Sequence, residues 1–170
     1  MSLITEDGTG KFNAESYCSV AQATSFHSVR STVDSWGDMD VDKQEACLRA
    51  ATDYITQTFG GRWGGDRKSS TQALEWPRVA VPWPDGYLTY RPDGTIPQEL
   101  VNACAELALK AYSGPLLADL GRETSSESVD VISVSYVPGS SRQTKYPTVE
   151  RWLRSLLVGA SVNSISVSRA

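Results

Sequence analysis

The segment from Gly60 to Ile96 most constrains what this chain can fold into, because it separates two strongly helical stretches and is too long to stay structureless in a compact domain. Within it, Gln72 to Arg78 reads QALEWPR, a short apolar turn, a large aromatic and a proline. That combination suits a clamp that pins a long inter-helix loop onto a small helical core. The loop also carries Trp63, Trp76 and Trp83, and the tripeptide Pro-Asp-Gly occurs twice, at Pro84 and at Pro92. Between the two turns, Tyr87, Leu88, Thr89 and Tyr90 have the composition of a short strand, so a projecting β element is expected there.

Four helices follow from start and stop signals. Ser19 and Gln22 have capping-box spacing, with Ala23, Phe26 and Val29 on one apolar face, which predicts a helix from about Ser19 to Arg30. Asp40 is a good N-cap for a second, in which Cys47, Ala51, Tyr54, Ile55 and Phe59 recur at helical spacing until Gly60-Gly61 ends it. Pro97 belongs in the first turn of a third, with Leu100, Val101, Cys104, Leu107, Ala108 and Ala111 inward and Gly114-Pro115 as the stop. Pro147 opens the fourth, where Val149, Trp152, Leu153, Leu156 and Leu157 form an apolar stripe with Trp152 at its centre, in the core. Glu123 to Ser128 reads as a polar loop, whereas Ile132, Val134 and Tyr136 alternate with serines as a half-buried strand does. A serine-rich loop, Pro138 to Thr144, leads to the fourth helix.

The expected fold class is therefore mainly α: a small bundle of about four helices with a projecting β-hairpin-like loop, one further strand region and an extended C-terminal tail. A chain of 170 residues, 40% hydrophobic, fits one domain over residues 1–160 with the loop inserted at 60–96. The remainder, residues 161–170, is short and serine-rich, with Val162, Ile165 and Val167 among polar neighbours and Arg169 its one charge. Such a segment either stays disordered or adds a strand to a partner's sheet edge.

Formal net charge is -4, which argues against a protein that neutralises duplex DNA over a broad face. Cys18, Cys47 and Cys104 are odd in number and widely spaced, so they read as small buried side chains made in a reducing cytoplasm. The start, MSLITEDGTG, has neither the basic nor the apolar region of a signal peptide, and no run reaches the roughly 20 apolar residues of a membrane span.

Little in the chain suggests catalysis, a metal or a cofactor. His27 is the sole histidine and lacks a nucleophile elbow, so a satisfied or surface imidazole is expected. Asp38, Asp40 and Asp42 begin like a calcium loop, but Glu45 and Ala46 stand where a glycine and later ligands are needed, and helix capping explains them better. The glycines of Gly60 to Gly65 lack the lysine ending of a phosphate loop. Only one place favours nucleic acid: Arg62, Arg67, Lys68 and Arg78 interleave with Trp63 and Trp76, and an indole can stack a base while a guanidinium holds phosphate. The simpler reading has the tryptophans anchoring the loop and the cations in solvent.

A set of landmarks in fixed order resembles the head-to-tail connector (adaptor) proteins of tailed bacteriophages. They are Ser16-Tyr17 with Ser19-Val20-Ala21, Trp36, Ala50 to Ile55, Gln72 to Arg78, Ile96-Pro97, Glu106-Leu107-Ala108, and Tyr146-Pro147 with Arg151-Trp152-Leu153. The loop Pro82 to Gly94 is longer than that family leads one to expect. The resemblance implies a non-enzymatic virion protein of the neck, a ring of about twelve copies under the portal that passes genomic DNA without sequence specificity. It implies portal docking through Val162, Ile165, Val167 and Arg169, and contact with a neighbouring subunit or another neck or tail-completion protein through Trp83, Tyr87 and Tyr90. Arg62, Arg67 and Lys68 are then the residues facing DNA. Related sequences are labelled as similar to a primosomal single-strand-binding protein, and the alternative is thus a single-stranded-DNA-binding module.

Overall fold

A computed structural model describes residues 2–84, 90–117, 126–129, 132–135 and 144–158. Five α-helices lie among them: α1 Val20–Ser28, α2 Val33–Gly37, α3 Val41–Phe59, α4 Gln98–Ser113 and α5 Pro147–Leu153, the last running into a 3-10 turn, Arg154–Leu156. The fold is mainly helical, as expected.

The start signals act as their chemistry dictates. Ser19 and Gln22 close a reciprocal capping box on α1, and the Asp40 carboxylate accepts from the Lys43 N–H at 2.7 Å at the head of α3. Pro97 caps α4, and Pro147 occupies the first turn of α5. Helix α4 sits at the centre, packed on α3, α5 and α1. It can do so because Ala103, Cys104, Ala105 and Ala108 are small enough to let neighbours approach, while Leu100, Val101 and Leu107 fill the remaining volume. The α3–α4 seam holds a polar knot in which the Cys104 thiol lies 3.6 Å from Thr52 Oγ1 and 3.8 Å from Ser16 Oγ. All three cysteines are buried and unbridged, as small core side chains, and burial raises their thiols above the ordinary value.

The QALEWPR block pins the loop. Leu74, Trp76 and Pro77 are buried, and the Gln72 side chain donates to the Leu74 carbonyl at 2.8 Å and the Pro77 carbonyl at 3.1 Å. From the helical side, Tyr17 Oη accepts the Glu75 N–H at 3.0 Å. The trace is closed by a short antiparallel pair, β1 Asp66–Arg67 with β2 Arg78–Val79, registered Asp66 to Val79 and Arg67 to Arg78.

Several expectations need revision. Helix α2, which carries the buried Trp36, was not foreseen, because Thr32 makes no side-chain cap and five residues give too little periodicity to read. Among the described residues the loop 60–96 pairs at β1–β2, and the Arg91 N–H bonds the Val81 carbonyl; the strand expected over Tyr87 to Tyr90 falls mostly on Asp85 to Thr89, which lie outside them. The polar stretch ending at Ser128 is in part a strand: β3 Ser126–Val129 pairs antiparallel with β4 Ile132–Ser135, Val129 opposite Ile132. Strong β pairing can thus override polar composition. Trp152 is only half-buried, at the margin of a core face made by Val149, Leu153 and Leu156. The tail 161–170, and with it Val162, Ile165, Val167 and Arg169, lies outside the described residues.

Candidate nucleic-acid interface

The end of α3 and the outer face of α5 enclose a cleft of about 390 Å3 lined by Thr58, Phe59, Arg62, Pro147, Glu150, Arg151, Arg154 and Leu157. Its wall follows from helical geometry. Pro147, Glu150, Arg151 and Arg154 stand at i, i+3, i+4 and i+7, so they share the face opposite the buried Val149 and Leu153. The floor is apolar, with Phe59 2% exposed and Leu157 half-buried.

Arg62 reaches this wall because the backbone brings it there. Helix α3 ends as the Gly60 N–H bonds the Thr56 carbonyl at 2.9 Å, and Gly61, at φ 74°, reverses the chain. Trp63 then meets Leu157 in an antiparallel bridge, with the Gly64 N–H on the Leu156 carbonyl at 2.9 Å and the Val158 N–H on the Arg62 carbonyl at 2.8 Å. The Arg62 guanidinium lies 5.6 Å from the centre of the Phe59 ring, in cation–π range. Three arginines and one glutamate thus line a single cleft in a protein whose formal net charge is -4.

The other expected DNA-facing residues are engaged elsewhere. Arg67 donates to the Gln72 carbonyl at 2.6 Å and the Leu74 carbonyl at 3.1 Å, and Lys68 Nζ to the Gly8 carbonyl at 2.8 Å. Arg78 holds the carbonyls of Gly64 at 2.8 Å and Gly65 at 2.6 Å and pairs with Glu75 at 3.3 Å. These cations tie the loop together, although Arg67 and Lys68 remain exposed to solvent as expected. Trp63 and Trp76 are buried edge-to-face, ring centres 6.0 Å apart, and offer no open indole to a base. Arg151 and Arg154 were missed as site residues, although the spacing 147, 150, 151, 154 was visible as the polar complement of the apolar stripe.

Trp83 and Tyr90 stand apart from the core. Tyr90 is 55% exposed, and Trp83 is partly exposed with the Arg91 guanidinium 4.3 Å from its ring centre. Arg91 itself is buried, paired with Glu99 at 3.0 Å and bonded to Ser155 Oγ at 3.2 Å. Ser155 follows Arg154 in the 3-10 turn, so this cluster backs onto the cleft wall. His27 is buried with both ring nitrogens engaged: one lies 2.8 Å from Thr32 Oγ1, the other 3.2 Å from the Ala105 carbonyl. Among the described residues no group of three or more His, Cys, Asp or Glu is placed to hold a metal ion. Among the described residues, too, no helix is long and apolar enough to cross a membrane.

A family model described as "Putative DnaT-like ssDNA binding protein" matches residues 1–170. Comparison with curated proteins and with solved structures returned no match. The family match overturns the connector expectation: it points to a DnaT-like protein and away from a head-to-tail connector, a portal-bound ring or a virion neck. The ordered landmarks are real, but capping boxes, a pinned loop and a terminal tryptophan-bearing helix record how a small helical domain is built, not what it joins. On a match spanning its whole length, the chain belongs to the DnaT-like ssDNA-binding family.

Proposed function

We propose that this protein is a non-enzymatic module that binds single-stranded DNA, its backbone phosphates seated in the cleft of Arg62, Arg151 and Arg154. The convergence of three arginines from two distant segments around a cleft with an apolar floor carries the reading. Arginine suits the task because its planar fork pairs two phosphate oxygens at once and stays charged. A cleft rather than a broad basic face favours a flexible strand, which can thread into a groove that a duplex would bridge. The remaining surface of an acidic chain repels the rest of the polymer, so affinity is modest and strongly dependent on salt.

Fluorescence anisotropy of a labelled oligothymidylate across a salt series tests this. Neutralising about three phosphates gives a logarithmic salt slope of roughly -2 for a single strand. Arg62→Ala/Arg151→Ala/Arg154→Ala should remove the salt-dependent binding while leaving helical circular dichroism intact, whereas Arg67→Ala should leave binding unchanged. The idea fails if the wild-type protein has no measurable affinity at low salt, or if the triple variant binds as the parent does.

A further inference from the structure

Four of the five tryptophans belong to the core or pack against it: Trp36, Trp63 and Trp76 are buried, and Trp152 lies on the core's margin. Trp83 does neither. It stands between Pro82 and Pro84, whose rings fix their own φ and leave the intervening residue little freedom. The roots of its loop are tied where the Arg91 N–H bonds the Val81 carbonyl at 2.7 Å.

One side of the indole is covered by the Arg91 guanidinium at 4.3 Å, which is not free to seek phosphate, since Glu99 at 3.0 Å balances its charge and Ser155 at 3.2 Å fixes its direction. A buried cation held this firmly does little as a ligand but much as a backing plate. It orients a partly exposed aromatic ring beside the 3-10 turn that carries Arg154. We propose that Trp83, backed by Arg91, is a stacking platform for a nucleobase, so that a strand laid in the arginine cleft places a base on this indole. The inference rests on the cleft being the phosphate site. It makes Trp83 a binding residue and Arg91 a positioning residue, and it replaces the expectation that Trp83 contacts a neighbouring subunit.

Stacking does not depend on base identity, because every base has a π face, so the platform adds affinity for base-bearing strands without adding sequence preference. The test compares labelled oligothymidylate with an abasic deoxyribose-phosphate oligomer of equal length, using full-length protein. Trp83→Ala should weaken oligothymidylate binding about tenfold, as loss of one stacked base does, and leave both abasic binding and the salt slope unchanged. Trp83→Phe should retain most of the affinity while the quenching of tryptophan fluorescence on binding oligothymidylate falls. Equal binding of both oligomers by wild type and Trp83→Ala would overturn the platform and leave the cleft standing. Equal loss of both oligomers in Trp83→Ala would also overturn it, since the ring would then be structural. A Trp83→Phe protein quenched as fully as the parent would refute it independently of any folding defect in the alanine variant. If wild-type protein bound neither oligomer, the cleft reading and the platform would fall together.

Discussion

His27 shows how one residue can be chemically suggestive in sequence and structural in the fold. Its ring is sandwiched between Phe26, edge-on at 5.0 Å, and Trp36, stacked at 5.0 Å. The Ala105 carbonyl can only accept, so Nε2 carries a proton; in the neutral ring, which burial favours, Nδ1 accepts from the Thr32 hydroxyl. Burial lowers its pKa below the ordinary 6.5, with Arg30 acting in the same direction and Glu106 opposing. The unfolded chain therefore takes up the proton first as pH falls. The stability tied to the neutral ring is complete above about pH 6.5 and is lost as pH drops from there through the folded pKa. With a single histidine, an NMR titration of the imidazole reports this directly, and a midpoint at or above 6.5 would contradict it. A satisfied imidazole was one of the readings the chain offered; its actual partners, five and 78 residues away, could not be read, because local spacing says nothing about which helix α1 meets.

At the scale of elements, legibility followed periodicity. The capping box of α1, the Asp40 cap of α3 and the proline starts of α4 and α5 were all readable because each signal lies within one turn of the helix it begins. Helix α5 shows the limit. Reading the stripe by its order in the chain put Trp152 at the centre of the buried face. At about 100° per residue, however, Trp152 stands to one side of Val149 and Leu153, and the core face settles on Val149, Leu153 and Leu156. Leu153→Ala should accordingly cost about 2 to 5 kcal/mol as a buried large-to-small change. Trp152→Ala should cost less, since part of the indole already meets solvent. Chemical denaturation of the two variants orders them, and a larger loss for Trp152→Ala would restore the original placement. The same overlooked polar face of α5 hid Arg151 and Arg154, so the candidate site was legible only at Arg62, whose loop position drew notice for its neighbouring tryptophan.

Across the whole molecule, long-range closure was the least legible feature. The opening segment folds onto the loop: Thr5 bridges Ser16, and the buried Glu6 carboxylate accepts the N–H groups of Gly8 and Gly10 at 2.9 Å and of Lys11 at 2.8 Å. Gly8 has φ 98°, and a Cβ there would lie 2.0 Å from the Gly94 carbonyl oxygen. Gly8→Ala should therefore lower stability by well over the ~0.5 kcal/mol of an ordinary surface substitution. It should also speed hydrogen exchange around Lys68 to Ala73, whose contacts with Gly8 and Lys11 depend on that turn; parental exchange rates would show the turn to be dispensable. Nothing local in the glycine announces Gly94, because the contact spans about half of the chain. The bridge between Trp63 and Leu157 has a similar reach and a temporal consequence. During translation Arg62 leaves the ribosome long before Val158, whose N–H holds it against α5. An unfinished chain would thus carry the cation without the groove. If the groove is the phosphate seat, newly made protein stays indifferent to the message being read beside it until α5 has docked, and affinity for nucleic acid becomes a mark of that docking.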